Sequence, residues 1–401
     1  MPEPTPPDKT RTALRMAFFY TAVFAMIGIH MPFWPVWLTA RGMTPSDIGI
    51  IFAASLGAKV IINPLIAHMA DRRGQRRPIM VVLSGLAFLV FTLFAWAEGF
   101  WQILLLSVLF FGVWSPLMPL GESLAMLGGV EANGEEHSIR GGELDYGRVR
   151  LWGSFAFIAT VVCTGYFLGD GNVDIIYRFL VGSLAFVFVV TLFLPSTQAP
   201  SAADTRFAAL EVLRDRRFVL FIIATALIQS SHSVYYGFGT LNWKAQAYSE
   251  TVIGLLWAEG VIAEIILFAF GARMVAWMGP SKMIALGGLA GVVRWTVTGG
   301  ADGLASLVIV QALHALTFAA THLGAIYFIS RRIPPSLSAS AQSLYSAVVM
   351  GFVLGLAMFA SGKLFGLFGA GAYYAMAVLA AAGAIIAIFL AVLPRRDDNS
   401  A

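Results

Sequence analysis

Twelve long apolar stretches follow one another along this chain, and most of the charged residues collect in the gaps between them. In lipid a backbone polar group must be satisfied within its own segment, so stretches of about 20 apolar residues fold as spanning helices. Only 12% of the 401 residues are charged, against about 25% in a soluble domain. So few charges do not cover a water-facing surface. The expected spans are 14–39, 46–70, 78–97, 101–127, 147–168 and 175–194, then 217–243, 251–276, 281–299, 304–330, 338–367 and 371–393. The fold class expected is an all-α membrane protein with twelve transmembrane helices. The first span is too long and too polar at its end for a signal peptide.

The second six spans repeat the first six at an offset of 205 positions. That offset sets Phe33 on Phe238, Gly49 on Gly254, Lys59 on Glu264, Gly74 on Gly279 and Arg77 on Lys282. Two bundles of six helices are expected, at 14–194 and 217–394, joined by a cytoplasmic linker at 195–216. Residues 1–13 and 395–401 are expected as cytoplasmic tails, the first disordered, and the acidic, Gly-rich 131–146 loop as mobile. With both ends in the cytoplasm, 20 of the 26 Lys and Arg face that side, four face the other, and Lys59 and Arg294 lie within spans. This bias sets the orientation. The localisation expected is a bacterial-type inner membrane.

Several function classes are excluded. The basic residues lie in short loops, which fits membrane topology and not nucleic acid. No phosphate-cradling loop is present, so the chain does not read as an ATP-driven pump. No ligand spacing suggests a metal, no cofactor motif appears, and no nucleophile elbow suggests a hydrolase. The lone Cys163 excludes an internal disulfide.

Between the second and third spans stands Asp71-Arg-Arg-Gly-Gln-Arg-Arg77. It resembles the loop signature of the major facilitator superfamily, whose core is Asp-Arg-x-Gly-Arg-Arg. More specific are Pro32-Phe-Trp-Pro-Val-Trp-Leu38, Asp145-Tyr-Gly-Arg-Val-Arg-Leu-Trp-Gly-Ser154, His232-Ser-Val-Tyr-Tyr-Gly-Phe238, Gly291-Val-Val-Arg-Trp295 and Gln311-Ala-Leu-His314. Together with Ala263-Glu264 they resemble the phenylpropionate permease branch, relatives of the lactose and nucleoside proton symporters. The resemblance implies the major facilitator fold, proton-coupled import and a monomer. It implies gating for Asp71, Arg72, Arg76, Arg148 and Arg150. Glu264, Arg294 and His314 fall on the three helices where the lactose permease branch keeps its proton-coupling Glu, Arg and His. One turn after the His that branch has an acid, and Thr317 stands here.

Charges inside a span cost about 2.5–3.5 kcal/mol each on insertion scales, so they face a cavity or a partner. Burial favours a neutral Glu264 and a nearby Arg294 favours its carboxylate, so Glu264 is expected to take and release the proton. Glu259 is expected to face elsewhere, at a rim. Lys59 either holds a substrate anion or pairs with an acid such as Glu122. Glu122 either meets substrate or forms a gate salt bridge with Arg148 or Arg150. His30, Phe33, Trp34 and Trp37 share one helix face, as do Gln229, His232 and Tyr236, and Gln311 and His314. Such stripes either line a wet cavity or pack the core. His322 lies eight residues, about 80°, beyond His314, and sequence does not choose between coupling and packing for it.

The leading expectation is a proton symporter bringing in a small organic anion, such as an aromatic acid, by alternating access. The alternative is a sugar or nucleoside symporter in which Trp37 stacks the ring and Glu122 takes hydroxyls. A lipid flippase or drug transporter on the same fold is the third reading. The expected partners are a small-molecule substrate, protons and the bilayer.

Overall fold

The computed structural model describes residues 9–130, 146–169, 171–196, 212–301 and 303–393. Residues 1–8 of the first tail, 131–145 of the loop, most of the linker and the last tail fall outside these residues, while residues 9–13, expected as part of a disordered tail, are helical. The described chain is helical throughout and contains no strand. Its helices are α1 (Lys9–Ala40), α2 (Pro45–Arg73), α3 (Arg77–Thr92), α4 (Gly99–Trp114), α5 (Leu117–Val130), α6 (Tyr146–Leu168) and α7 (Asp174–Thr191). After the linker come α8 (Arg216–Ser230), α9 (Ser233–Ala245), α10 (Glu250–Met278), α11 (Pro280–Gly300) and α12 (Leu304–Ala312). A π-helical turn at Ala315–Ala320 leads into α13 (Thr321–Arg332). Then come α14 (Pro335–Ala347), a second π-turn at Val348–Val353, α15 (Leu354–Phe368) and α16 (Ala372–Val392).

Ten stretches among the described residues are long and apolar enough to cross a membrane. One of them, Ser340–Val392, runs for 53 residues and is parted at Gly369–Gly371, so it holds two crossings. The helix Pro280–Gly300 is absent from the ten, because glycines and Arg294 dilute its apolar character, yet its 21 residues are enough to span. Counting both, helices cross twelve times among the described residues, the number the sequence leads one to expect. Large apolar side chains are exposed along the spans, among them Ile61, Leu65, Ile309 and Ile385. Lipid, not water, is the solvent for such a surface.

Helix ends follow local chemistry. Thr44 caps α2 with its hydroxyl on the Asp47 amide while Asp47 returns a bond to the Thr44 amide, and Pro45 opens the first turn. Gly74 (φ 63°) ends α2 and Gly279 (φ 79°) follows α10, both in the left-handed region that a side chain disfavours. The two glycines of the 205-residue repeat therefore do the same work.

The chain divides into two compact units. One comprises Met1–Asp204 with Gly237–Ala258, the other Thr205–Tyr236 with Glu259–Ala401. In the first, Phe19, Tyr20, Met80, Leu83, Leu117 and Val187 build the core of α1, α3, α5 and α7. There α10 also comes backbone to backbone with α6: a Cβ on Gly165 would lie 2.4 Å from the Glu250 carbonyl, and one on Gly254 2.8 Å from that of Val161. In the second, Phe221, Phe328 and Tyr345 stack within the core of α8, α13 and α14.

Candidate functional site

Three helices of the second unit bring the predicted coupling residues together. A glycine face seats α11: Cβ atoms on Gly288 and Gly291 would lie 2.8 and 2.9 Å from Ala384 and Ala380 of α16, and one on Gly287 2.0 Å from the Thr321 hydroxyl. Small residues allow this approach of helix axes in a membrane. The seating carries Arg294, two turns further on, against α12 and the π-turn. Arg294 is fully buried. Its Nη1 donates to His314 Nδ1 at 2.8 Å and to Thr317 Oγ1 at 3.0 Å, and its Nη2 donates to Gln311 Oε1 at 2.7 Å. The guanidinium lies over the rings of Tyr235 (4.6 Å) and Trp295 (4.5 Å). Gln311 Nε2 in turn donates to the Tyr235 hydroxyl at 3.1 Å.

The tautomer of His314 follows from this geometry. A guanidinium only donates, so Nδ1 of His314 offers its lone pair and the ring proton sits on Nε2. That Nε2 lies 2.9 Å from Glu264 Oε1, to which it donates. A neutral imidazole thus joins the Arg294 cation to the Glu264 carboxylate. A proton placed on Oε1 would set O–H against N–H and break the chain. Gly260, one turn before Glu264 on α10, gives the ring its room: a Cβ there would lie 3.2 Å from His314 Cδ2. Thr317 is the second junction. Its hydroxyl accepts from Arg294, lies 3.1 Å from His232 Nε2 and reaches the His314 carbonyl at 3.3 Å.

The seventh span breaks at Ser231–His232, between α8 and α9. Trp295 Nε1 donates to Ser231 Oγ at 2.9 Å, and His232 stacks on Tyr236 at 5.4 Å. The break is therefore pinned to α11 and to the π-turn. Gln229 is buried one turn earlier. Glu259 is half-buried, with Arg294 as the cation whose charge reaches it.

In the first unit, Lys59 is half-buried on α2, and Glu122 of α5 is the acid that interacts with it electrostatically. Asn63, one turn on from Lys59, accepts from Ser115 Oγ at 2.6 Å, at the Ser115–Pro116 break between α4 and α5. The loop signature acts nearby. Arg76 is buried, donating from Nη2 to Asp71 at 3.0 Å and from Nε to Ser123 of α5 at 2.7 Å. Arg77 donates to the Leu192 carbonyl just past α7. These two arginines staple α2 and α3 to α5 and α7. Arg72 is exposed and Arg150 half-buried, and the Arg148 side chain lies outside the described residues.

The α1 stripe sits in an aromatic cluster. His30 stacks on Trp34 (5.6 Å), Trp34 on Trp37 (4.4 Å, 7° between planes), and Phe91, Phe94 and Phe110 surround them. Both tryptophans are buried. Packing thus accounts for their apolar faces, while His30 Nε2 and Trp37 Nε1 are buried with no hydrogen-bond partner among the described residues. Sequence reasoning missed Tyr235, Trp295, Thr317 and Gly260. Tyr235 and Trp295 stood inside motifs quoted for the family resemblance, and Thr317 stood one turn past His314 where the lactose permease branch has an acid; Gly260 carried no signal.

Comparison with known proteins agrees with this architecture. The family model described as "MFS_1 like family" matches residues 13–376. The chain is 33% identical over 370 residues to the "Probable 3-phenylpropionic acid transporter" of Escherichia coli strain K12, covering 91% of this chain and 94% of that one. It is 25% identical over 345 residues to a maltose permease of Geobacillus stearothermophilus, covering 82% of each. The crystal structure of the nucleoside transporter NupG superposes with a TM-score of 0.77 at 15% identity, over 94% of this chain and 98% of that one.

Proposed function

The chain belongs to the MFS_1 like family of membrane transporters, and on that premise we propose that it couples proton entry to uptake of a small organic anion, in the first place an aromatic acid. The observation that carries this reading is the buried Arg294–His314–Glu264 line. Its charges cancel when the carrier is empty. A proton on Glu264 alone leaves Arg294 uncompensated in a medium where an unpaired charge is costly. A substrate carboxylate restores the net charge of the carrier. Empty and doubly loaded carriers then reorient at similar electrostatic cost, and the half-loaded carrier is held back. That asymmetry is what symport needs.

Arg294 already donates to three partners, which leaves Lys59 as the residue for the carboxylate. A compact ammonium on a flexible stem can exchange Glu122 for an incoming anion. His30 Nε2 and Trp37 Nε1, buried with no hydrogen-bond partner among the described residues, supply polar ends for the remainder of the substrate. Asp71, Arg72, Arg76, Arg148 and Arg150 serve the gate. Transport runs by alternating access. The protein works as a monomer in the inner membrane, both termini cytoplasmic.

A second reading, uptake of a sugar or nucleoside, draws on the maltose permease and NupG and on Glu122, which offsets the Lys59 charge. Uptake of labelled 3-phenylpropionate, maltose and uridine by vesicles containing wild type or Lys59→Ala separates the two. Loss confined to the carboxylate supports the anion reading. Sugar or nucleoside uptake by the wild type, with no carboxylate uptake, overturns it.

A further inference from the structure

His322 is a titratable side chain in a membrane span to which the relay above gives no part. On an unbroken α-helix its eight-residue distance from His314 sets the two rings about 80° apart. The π-turn at Ala315–Ala320 fits an extra residue into that path. The insertion takes back about 100°, so the two side chains come within about 20° of each other around the helix. The rings record the alignment. His314 stacks on Phe318 with centroids 5.6 Å and planes 11° apart, and Phe318 stacks on His322 at 6.0 Å and 3°. Beyond His322 stands Tyr345 of α14, at 6.5 Å, and α13 runs on to Arg331 and Arg332 in its last turn.

We propose that His322 receives the proton that Glu264 releases and hands it on toward the Arg331–Arg332 end of the span. The proposal rests on the symport reading above. The step balances without an oxidant or reductant: the O–H bond at Glu264 breaks, an N–H bond forms on the neutral His322 ring, and the imidazolium then loses a proton to water. His314, whose Nδ1 accepts from Arg294 and whose Nε2–H faces Glu264, and Phe318 carry no proton between them, so transfer runs through water beside the stack while the rings fix the spacing. The titratable groups the structure records around His322 are Tyr345 from α14 and His314 from its own line, with Arg294 of α11 and His232 behind His314. π-turns gather at functional sites, and shape alone at this position would be served by a phenyl ring.

The test uses vesicles containing wild type, His322→Phe, which keeps a flat ring, or His322→Asn. The probes are 3-phenylpropionate, maltose and uridine. Accumulation under an imposed pH gradient is compared with counterflow exchange at equal pH, which needs no proton release. The expected result is a gradient-driven rate at least tenfold below wild type in both variants, with exchange within twofold. A gradient-driven rate within twofold of wild type in either variant overturns the assignment. So does a parallel loss of both activities in His322→Phe, which marks a packing role. Wild-type vesicles that accumulate none of the probes overturn the symport reading itself, and this assignment with it.

Discussion

Replacing Glu264 by Gln removes one charge from the buried line and keeps one acceptor. The Gln carbonyl can stand where Oε1 now accepts from His314 Nε2 at 2.9 Å, so the ring keeps its place. The hydrogen bond falls from charge-assisted to neutral and the buried Arg294 loses its counter-charge, a loss of about 3–5 kcal/mol where one partner of a buried pair is removed, and the protein should fold with a clearly lower Tm. The transport effect is distinct. If one proton enters with each substrate, a pH gradient of one unit supplies about 1.4 kcal/mol and supports about tenfold accumulation. Glu264→Gln stays neutral at every pH, so its steady-state ratio should fall to about one, while counterflow exchange at equal pH continues. Vesicle uptake with a pH-sensitive internal dye reads both quantities. Accumulation near tenfold in the variant, with its proton influx intact, would refute Glu264 as the carrier.

Two further outcomes follow from the packing. Thr317→Val removes the hydroxyl that accepts from Arg294 and meets His232; losing a buried hydrogen bond to a charged group costs about 1.5–3 kcal/mol, and an unchanged Tm in detergent would contradict the junction. Gly165→Ala places a Cβ 2.4 Å from the Glu250 carbonyl, and backbone cannot swing aside as a side chain does. The α6–α10 pair must part, at about 1–3 kcal/mol, and a variant melting with the wild type would show that the approach is not tight.

The helices were legible because lipid imposes one simple rule on the backbone, and the expected span limits fall within a few residues of the observed ends. The meeting of Glu264, Arg294 and His314 was legible for a related reason: they are the wrong chemistry for lipid, and each needed a partner. What stayed hidden depends on register. Nothing in Ala315–Ala320 marks a π-turn, since the segment holds neither Pro nor Gly, and without it His322 is assigned to a different face from His314. Tyr235 and Trp295 stood in motifs that carried the family resemblance, and their place under the Arg294 guanidinium shows only in the structure. Gly260 is unremarkable by composition, and its use lies in the imidazole it admits. The α1 stripe was open between cavity and core in the sequence, and the structure places its tryptophans in packing while leaving two ring nitrogens unsatisfied.

The modest hydropathy of α11 bears on how the protein is made. A helix with several glycines and a central arginine is a poor substrate for the translocon by itself, since the guanidinium alone costs a few kcal/mol at the bilayer centre. The carboxylate it answers, Glu264, is already synthesised when α11 emerges, but Gln311, His314 and the alanine face of α16 are not. Stable insertion of α11 must therefore lag behind its own synthesis and wait for later segments, so that a nascent chain stopped shortly after Gly300 would hold this helix only loosely in the membrane.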